Sequence, residues 1–585
     1  MRYREISEIR DGMRIDWDMP ITMDDGIVLR CDIYRPIADG HYPVIMTYGP
    51  YGKWLHFEDL YGSQWRTMCS NHPDVPANST NKYQCWEVVD PEKWVPDGYV
   101  CIRVDSRGAG RSPGIMDLWS LREAQDFAAC VEWAGVQPWS NGRVGLNGIS
   151  YYAMNQWQAA ALQPKHLAAI CTWEGAADFY RDMAHHGGIS CNGFTVDWST
   201  AQVYTVQNGR GNNGLKSRMT GGMVSGPETL TDEALGGLRR NFAEDCLTNK
   251  LDTDEFWTTR MPDWSKVNVP LLSTANWGGQ GLHPRGNFEG FVRSASEHKW
   301  LEVHGLEHWS EFYTNYGMDL QKRFFGYFLK DEANGWDKQP PVQLQVRHPG
   351  ENYVLRHETA WPLPSTQWTQ YHLDPQHLTL GEAPTKACSV SYAGLGDGVT
   401  FLTPPLEHPL EITGPIAAKL FVSSATADAD LFLVVRAFGP DLKELLFRGA
   451  IDPHTPLAQG WLRVSHRKLD PALTLPHRPY HTHDEIQPMV PGQVYEVDVE
   501  VWPTCVVIPA GFRIALSVRG KDYQYTGDIA PAESTYAKPW TGVGLFRHDD
   551  PRDRPAAVFG GSVTLHAGPG QEPFLLLPVI PAAPQ

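Results

Sequence analysis

The sequence VGLNGISYYA, residues 144–153, has the order of a strand, a sharp turn and a helix. A turn of this kind holds a serine in a strained conformation with its hydroxyl projecting, so the residue two places before it must be small. Gly148 meets this requirement for Ser150, whereas Tyr152 departs from the G-x-S-x-G form and Ala153 is small one place later. The pattern predicts Ser150 as a nucleophile. A serine at an ordinary helix N-cap is the alternative.

The sequence on both sides of this stretch alternates between strand-like and helix-like segments. A Ser-x-x-Glu capping box at residues 120–123 predicts the start of one of the helices. Strands that alternate with helices at this spacing indicate a mostly parallel sheet, and with the serine turn they predict an α/β-hydrolase core. The predicted strands are 25–35, 42–48, 99–104, 143–147, 167–171, 269–274 and 299–303, and the helices are 120–134, 151–162 and 315–330.

The chain divides into four predicted segments. Residues 1–175 and 263–338 form the two parts of the α/β-hydrolase core. Residues 176–262 lose the periodicity and are rich in glycine, which indicates an inserted cap. From residue 339 to 585 the sequence has short β-rich runs with many prolines and glycines, which predicts a C-terminal β jelly roll.

Composition restricts the class of partner. The 585 residues carry a formal net charge of −18 and no basic run, so we expect no binding to nucleic acid or to anionic membranes. The N-terminus lacks the apolar region of a secretory signal, and the ten cysteines lack C-x-x-C spacing. We therefore expect a cytoplasmic protein with reduced thiols and a small-molecule substrate. A homodimer with symmetric contacts would be usual for such a chain.

A serine nucleophile needs a base, and His308 is the predicted one. It lies in the segment HGLEH, residues 304–308, just past the predicted strand that ends at residue 303. His304 is nearer to that strand and is predicted to be structural. The same segment matches the zinc pattern H-x-x-E-H, which requires both histidines on one helix. Gly305 and the preceding strand argue against a helix, so we predict neither metal nor cofactor.

These motifs together resemble the CocE/NonD family, which includes cocaine esterase, α-amino-acid ester hydrolases and X-prolyl dipeptidyl peptidases. The resemblance covers nearly the whole chain. It rests on DG at 25–26 with Arg30 and YRP at 34–36, YGPYGK at 48–53, RVDSRGAGRS at 103–112, GISY at 148–151, ITGP at 412–415, DADL at 428–431 and RVSHR at 463–467.

The resemblance implies a hydrolase core, a helical cap and a jelly roll that act through an acyl-enzyme without metal or cofactor. By motif match, Tyr51 corresponds to the tyrosine whose hydroxyl helps to form the oxyanion hole. The backbone N–H of Tyr151 corresponds to its partner. A packing aromatic at the end of a strand is the alternative for Tyr51.

One position departs from the family pattern. The family places its acid in a G-W-x-D segment, but here residues 276–279 read NWGG, so Gly279 stands where the aspartate is expected. We predict Glu174 as the substitute, because it ends the strand that follows the nucleophile helix. Glu289 and Glu307 are weaker candidates. A structural Glu174, paired with an arginine such as Arg181, is the alternative.

The leading hypothesis for function is hydrolysis of a carboxylic ester or related amide. Candidates for substrate binding are Trp54, Trp173, Trp277 and Trp309, each of which could instead be a core residue. An X-prolyl dipeptidyl peptidase is the alternative within the class, with Glu174 or Asp178 for the substrate amine. An acyltransferase and a non-catalytic binding protein on the same scaffold are the alternatives outside it.

Overall fold

The structure is a computed structural model that describes residues 5–529, 536 and 538–582. Residues 1–4 and 583–585, at the ends of the first and last predicted segments, lie outside the described residues. The prediction about an N-terminal signal therefore falls partly outside them. No helix within the described ranges is both long and apolar enough to cross a membrane.

The strands of the described residues are, in chain order, β1 (Ile6–Arg10), β2 (Met13–Thr22), β3 (Val28–Arg35), β4 (Tyr42–Gly49), β5 (Val100–Asp105), β6 (Ser140–Ile149), β7 (Leu167–Trp173), β8 (His185–His186), β9 (Ile189–Ser190), β10 (Leu271–Asn276), β11 (Lys299–His304), β12 (Val342–His348), β13 (Asn352–Glu358), β14 (Gln367–Asp374), β15 (Thr379–Gly381), β16 (Cys388–Ala393), β17 (Val399–Leu402), β18 (Leu410–Ser424), β19 (Asp430–Phe438), β20 (Ala458–Arg463), β21 (Tyr495–Ile508), β22 (Arg513–Arg519), β23 (Ser562–Ala567) and β24 (Phe574–Ile580).

The α-helices are α1 (Phe57–Leu60), α2 (Gly62–Asn71), α3 (Pro91–Trp94), α4 (Leu121–Gly135), α5 (Tyr151–Ala161), α6 (Asn192–Trp198), α7 (Asp232–Gly237), α8 (Phe242–Thr248), α9 (Glu255–Thr258), α10 (Pro284–Arg293), α11 (Asn315–Lys330) and α12 (Ala556–Phe559). The Ser120 side chain accepts from the backbone N–H of Glu123 and starts α4 as predicted. The predicted strands and helices that surround Ser150 are confirmed, with ends that shift by a few residues.

The first half of the chain forms one mostly parallel sheet. Its strands run in the order β1-β2-β3-β5-β4-β6-β7-β10-β11-β12, parallel from β5 to β12 and antiparallel from β1 to β5. Because β4, β6, β7, β10 and β11 are parallel, their carboxyl ends and the loops that follow them lie at the same edge of the sheet. Ser150 is at that edge, where ligands of such sheets usually bind.

Helices cover both faces of this sheet. Alternate residues of a strand point to opposite faces. In β4, Val44 and Met46 belong to the apolar cluster that contains apolar residues of α4 and α5, whereas Ile45 belongs to the cluster that contains the apolar residues of α11. Between β7 and β10 the described chain contributes the β8–β9 hairpin, the short helices α6 to α9 and several shorter helical turns.

The C-terminal region is rich in β-structure, as predicted. Its strands pair mainly antiparallel, and the long strand β18 bonds to β21, β23 and β24. A separate apolar cluster fills this region, with Phe401, Ile412 and Leu516 among its buried members. Strand β12 connects the two halves, since it is parallel to β11 and also meets β21 where Arg347 faces Val506.

Candidate active site

The turn at Ser150 has the strained geometry that the sequence predicts. Strand β6 ends at Ile149 and α5 begins at Tyr151, and Ser150 between them has φ 57° and ψ −113°. This is an unfavourable conformation for a residue with a side chain. A Cβ atom at Gly148 would lie 2.5 Å from the Cβ of Tyr152, which explains why a small residue is needed there.

The histidine in contact with Ser150 is His283. Its Nε2 lies 3.3 Å from the Ser150 Oγ. The ring of His308 lies parallel to that of His283, with centroids 4.9 Å apart and an interplanar angle of 3°. The predicted contact between Ser150 and His308 is therefore not formed, because the Nε2 of His308 bonds instead to Glu87 Oε1 at 2.7 Å.

Glu174 lies where a triad acid is needed for His308. Its Oε2 accepts from the Nδ1 of His308 at 2.8 Å, and its Oε1 from the Nε2 of His304 at 2.9 Å. Glu174 follows β7, which lies beside β10, with Trp173 opposite Thr274. The carboxyl ends of β7 and β10 are therefore adjacent. A carboxylate that follows β7 can bond to the same histidine as the aspartate that the family pattern places after β10.

Two groups of the site, His283 and Glu87, were not predicted from the sequence. His283 immediately precedes α10, in the same loop as Gly279, so that loop still supplies a polar group to the site. Glu87 lies in the long connection between β4 and β5, where no periodic pattern marks it. Its Oε2 is buried, and the side chain of Trp86 is its neighbour there.

The buried charges shift one another's pKa values. Burial raises the pKa of Glu87 to about 7, despite the neighbouring His308. Burial alone would raise the pKa of Glu174, but His308 and His304 outweigh it and lower that pKa to about 2. Burial would likewise lower the pKa of His308, yet Glu174 and Glu87 raise it to about 10. At His283, burial and the neighbouring His308 hold the pKa well below its usual value.

The other carboxylates considered in the sequence are bound elsewhere. Glu289 pairs with Arg478 at 2.9 Å, and Glu307 pairs with Arg448 at 2.8 Å. Asp178 pairs with Arg181 at 2.8 Å, so Arg181 is not the partner of Glu174. These three carboxylates therefore do not orient His308, and Asp178 is not free for a substrate amine.

Tyr51 lines the same cavity as Ser150, and Tyr151 follows Ser150 in the chain. The hydroxyl oxygen of Tyr51 accepts from the Nε1–H of Trp198 at 3.0 Å, which leaves its own hydrogen to donate into the cavity. Tyr151 opens α5, and the first N–H groups of a helix have no partner within the helix. Its side chain points away and donates to Glu123 Oε2 at 2.5 Å.

A cavity of about 60 Å³ opens at Ser150. Its walls are largely aromatic, and both halves of the chain supply them. The lining residues are Tyr51, Gln64, Trp86, Glu87, Ser150, Phe194, Trp198, Gln202, Leu282, His283, His308, Trp309, Ile451, Tyr536, Trp540 and Leu545.

Trp309 lines this cavity, but the other three tryptophans predicted for substrate binding lie elsewhere in the described structure. Trp54 donates to Asp32 at 3.2 Å and stacks under Arg111. Trp173 is fully buried against the ring of His304, and Trp277 is fully buried and donates to the carbonyl of residue 345. Each of these three fills a core or satisfies a buried polar partner, as in the alternative that the sequence left open.

Two family models match the chain. Residues 25–310 match the X-Pro dipeptidyl-peptidase (S15 family), and residues 334–543 match the X-Pro dipeptidyl-peptidase C-terminal non-catalytic domain. The cocaine esterase of Rhodococcus sp. is 23% identical over 627 residues, covering 96% of this chain and 97% of that protein.

Solved structures agree with these matches. A CocE/NonD family hydrolase from Staphylococcus aureus is 30% identical with a TM-score of 0.83, covering 99% of this chain and 97% of that one. An α-amino acid ester hydrolase, 15% identical, shares the fold with a TM-score of 0.63 over 97% of each chain. The chain therefore belongs to the CocE/NonD family of serine hydrolases.

Proposed function

We propose that this protein hydrolyses a carboxylic ester or a related amide of a small molecule, with Ser150 as nucleophile, His308 as base and Glu174 as acid. The observation that carries the proposal is the strained turn that holds the Ser150 hydroxyl in a cavity beside a buried histidine–carboxylate pair. Similarity to esterases and to X-Pro dipeptidyl peptidases supports the same class of reaction.

The proposed reaction proceeds in two steps. Ser150 Oγ attacks the carbonyl carbon while its proton passes to the Nε2 of His308, and the leaving alcohol or amine then takes that proton. Water next attacks the acyl-enzyme, with His308 again as base, and releases the acid. The Tyr51 hydroxyl and the Tyr151 N–H donate to the oxyanion in both steps, and each such donor is worth about 3 kcal/mol. No metal or cofactor takes part.

In this proposal the arrangement in which His308 bonds to Glu87 is a resting state. The Nε2 of His308 must leave Glu87 and turn to Ser150 before it can accept a proton. His308 is the better base of the two histidines, because the carboxylate of Glu174 stabilises its cation whereas no carboxylate contacts His283 in the described structure. We assign His283 to holding the Ser150 hydroxyl in place.

We assign the remaining parts of the chain by the same resemblance. Residues 1–175 and 263–338 correspond to an α/β-hydrolase core, residues 176–262 to its cap and residues 339–585 to a jelly roll that covers the active site. Support comes from the parallel sheet and from the C-terminal residues that line the cavity. Ten unpaired cysteines favour the cytoplasm. The proposed partners are a small substrate and a second copy in a homodimer, with neither nucleic acid nor membrane.

Replacing Glu174 with glutamine should lower kcat by about 10³-fold while the protein stays folded. The glutamine amide cannot stabilise the His308 cation, and it donates a hydrogen where the carboxylate only accepts. Steady-state hydrolysis of a p-nitrophenyl ester measures the loss, and circular dichroism checks the fold. Glu302→Gln is the matched control, because Glu302 binds the other side of His304 at 2.7 Å. Equal losses in both variants would contradict a special role for Glu174.

Replacing Glu87 with glutamine should shift the pH dependence of kcat/KM. Glu87 and Glu174 together raise the pKa of His308 to about 10, so the wild type gains the neutral base only as the pH rises. Without the Glu87 charge the pKa of His308 falls, and the rising limb of kcat/KM should move to lower pH by about one unit or more. Glu311→Gln, another buried carboxylate, is the control. If the rising limb of kcat/KM stays at the same pH in Glu87→Gln, the proposed effect of Glu87 on the pKa of His308 is contradicted.

One observation favours a second candidate, a substrate that carries a free amine. Glu87 lines the same cavity as Ser150 and is acidic, so its carboxylate could pair with an ammonium group of a bound substrate. X-Pro dipeptides and α-amino acid esters carry such a group. Comparing aminoacyl and simple acyl p-nitrophenyl esters tests this. Glu87→Gln should then raise KM for the aminoacyl ester alone, and an equal KM for both esters would contradict the candidate.

A further inference from the structure

A second buried cluster lies between the cap segment and the C-terminal region. It consists of His186 in β8, Cys191 just before α6 and His548 in the loop before α12. One ligand atom of each residue lies within 4.8 Å of the others, and all three side chains are buried. The ring of His186 stacks on Trp461 with centroids 4.6 Å apart, which holds it in this orientation.

The hydrogen bonds of the two histidines determine which nitrogens carry hydrogens. The Nε2 of His186 lies 3.1 Å from the backbone oxygen of Asp182, which can only accept, so Nε2 carries the hydrogen. The Nδ1 of His548 lies 2.8 Å from Asp522 Oδ1, and by the same reasoning Nδ1 carries the hydrogen.

The two remaining nitrogens face each other. His186 Nδ1 and His548 Nε2 are 2.8 Å apart, and in neutral rings both present a lone pair at that distance. Two lone pairs directed at the same point need a cation between them, which is either a proton or a metal ion. A shared proton would account for the approach of the two nitrogens, but it would not account for the Cys191 sulfur beside them.

We propose that His186 Nδ1, His548 Nε2 and the Cys191 thiolate bind one Zn²⁺ ion. Two imidazoles and a thiolate suit zinc, with distances of about 2.0–2.1 Å to nitrogen and about 2.3 Å to sulfur. Tetrahedral geometry places two nitrogen ligands about 3.3 Å apart, so the rings need to separate by only about 0.5 Å. Binding releases the thiol proton of Cys191 to solvent, and water completes the fourth position.

The surroundings match those of known zinc sites. A zinc-bound histidine usually donates its other N–H to a carboxylate or a backbone carbonyl, and Asp522 and the carbonyl of Asp182 accept in this way here. Asp522 and His548 also line a cavity of about 520 Å³ in the C-terminal region, which offers the ion a path of entry.

The ion would fasten the cap segment to the C-terminal region next to the active site. Cys191 immediately precedes α6, from which Phe194 and Trp198 line the Ser150 cavity, and His548 follows Leu545, another lining residue. The role we assign is structural, since none of the three ligands lines that cavity in the described structure. The site does not depend on the proposed reaction of Ser150.

Metal analysis of untagged protein tests the proposal. After dialysis against a trace of Zn²⁺, mass spectrometry of the metals should find about one zinc per chain. Cys191→Ser and His548→Asn should each lose most of it and melt at a lower temperature. His466→Asn and Cys130→Ser should retain it. His466 lies 3.0 Å from His483, but within the described ranges no cysteine forms a ligand group with that pair, and Cys130 is a buried cysteine of α4.

Cobalt substitution covers the case in which the ligand variants fail to fold. Co²⁺ bound to the wild-type protein should give a thiolate-to-cobalt charge-transfer band, and adding Zn²⁺ should abolish it. Wild-type protein that neither contains zinc nor takes up Zn²⁺ or Co²⁺ would overturn the proposal and leave a proton shared by the two histidines. Zinc that persists in both Cys191→Ser and His548→Asn would also overturn it.

Discussion

Ser150→Ala is expected to lower ester hydrolysis by about 10⁴-fold or more and to abolish covalent labelling by a fluorophosphonate probe. The reason is that the variant loses the only atom that forms the acyl-enzyme in the proposed reaction. The change removes a single oxygen atom, so the strained turn and the fold should persist. Labelling followed by intact mass measurement, together with turnover of a short p-nitrophenyl ester, checks both parts of the prediction.

Ser423→Ala is a suitable control, because Ser423 is a buried serine of β18 that bonds to His566, and neither residue lines the cavity. It should label and turn over like the wild type. Wild-type protein that resists labelling would contradict the serine nucleophile and favour a non-catalytic binding protein. If labelling persists but added alcohols or amines capture the acyl group in place of water, the protein is an acyltransferase.

His308→Asn should lower kcat by about 10⁴-fold, whereas His283→Asn should lower it by only about 10-fold. His308 is proposed to carry the proton in both steps, and Glu174 stabilises the resulting cation. His283 contributes one hydrogen bond to Ser150, and the loss of such a bond costs about 1 kcal/mol. Single-turnover kinetics with the same ester separates acylation from deacylation for each variant.

The reverse order of effects would contradict the assignment of the base. It would show that His283, which already touches the serine oxygen, accepts the proton directly. His308 would then act only through its position between Glu87 and Glu174. His304→Asn is a useful control, since His304 binds Glu174 but lies deeper than His308 and is fully buried.

The elements of the first half of the chain could be predicted because local patterns specify them. Helix α11 runs from Asn315 to Lys330 as the apolar spacing predicts, and α4 starts after Ser120 because that side chain caps it. The tryptophans could not be assigned in this way. An aromatic residue that lines a cavity and one that fills a core have the same sequence signature, and only Trp309 of the four proved to lie in the cavity.

In the active site, too, local patterns predicted some residues and not others. Sequence alone predicted Ser150, because the turn needs a small residue at position 148 and a strand and helix around it, all within ten residues. It also singled out Glu174, which the structure shows bonded to His308. Only the tertiary structure decided which groups meet: His283 touches Ser150, and Glu87 binds His308. These contacts join loops more than 100 residues apart, and no local pattern records where such loops converge.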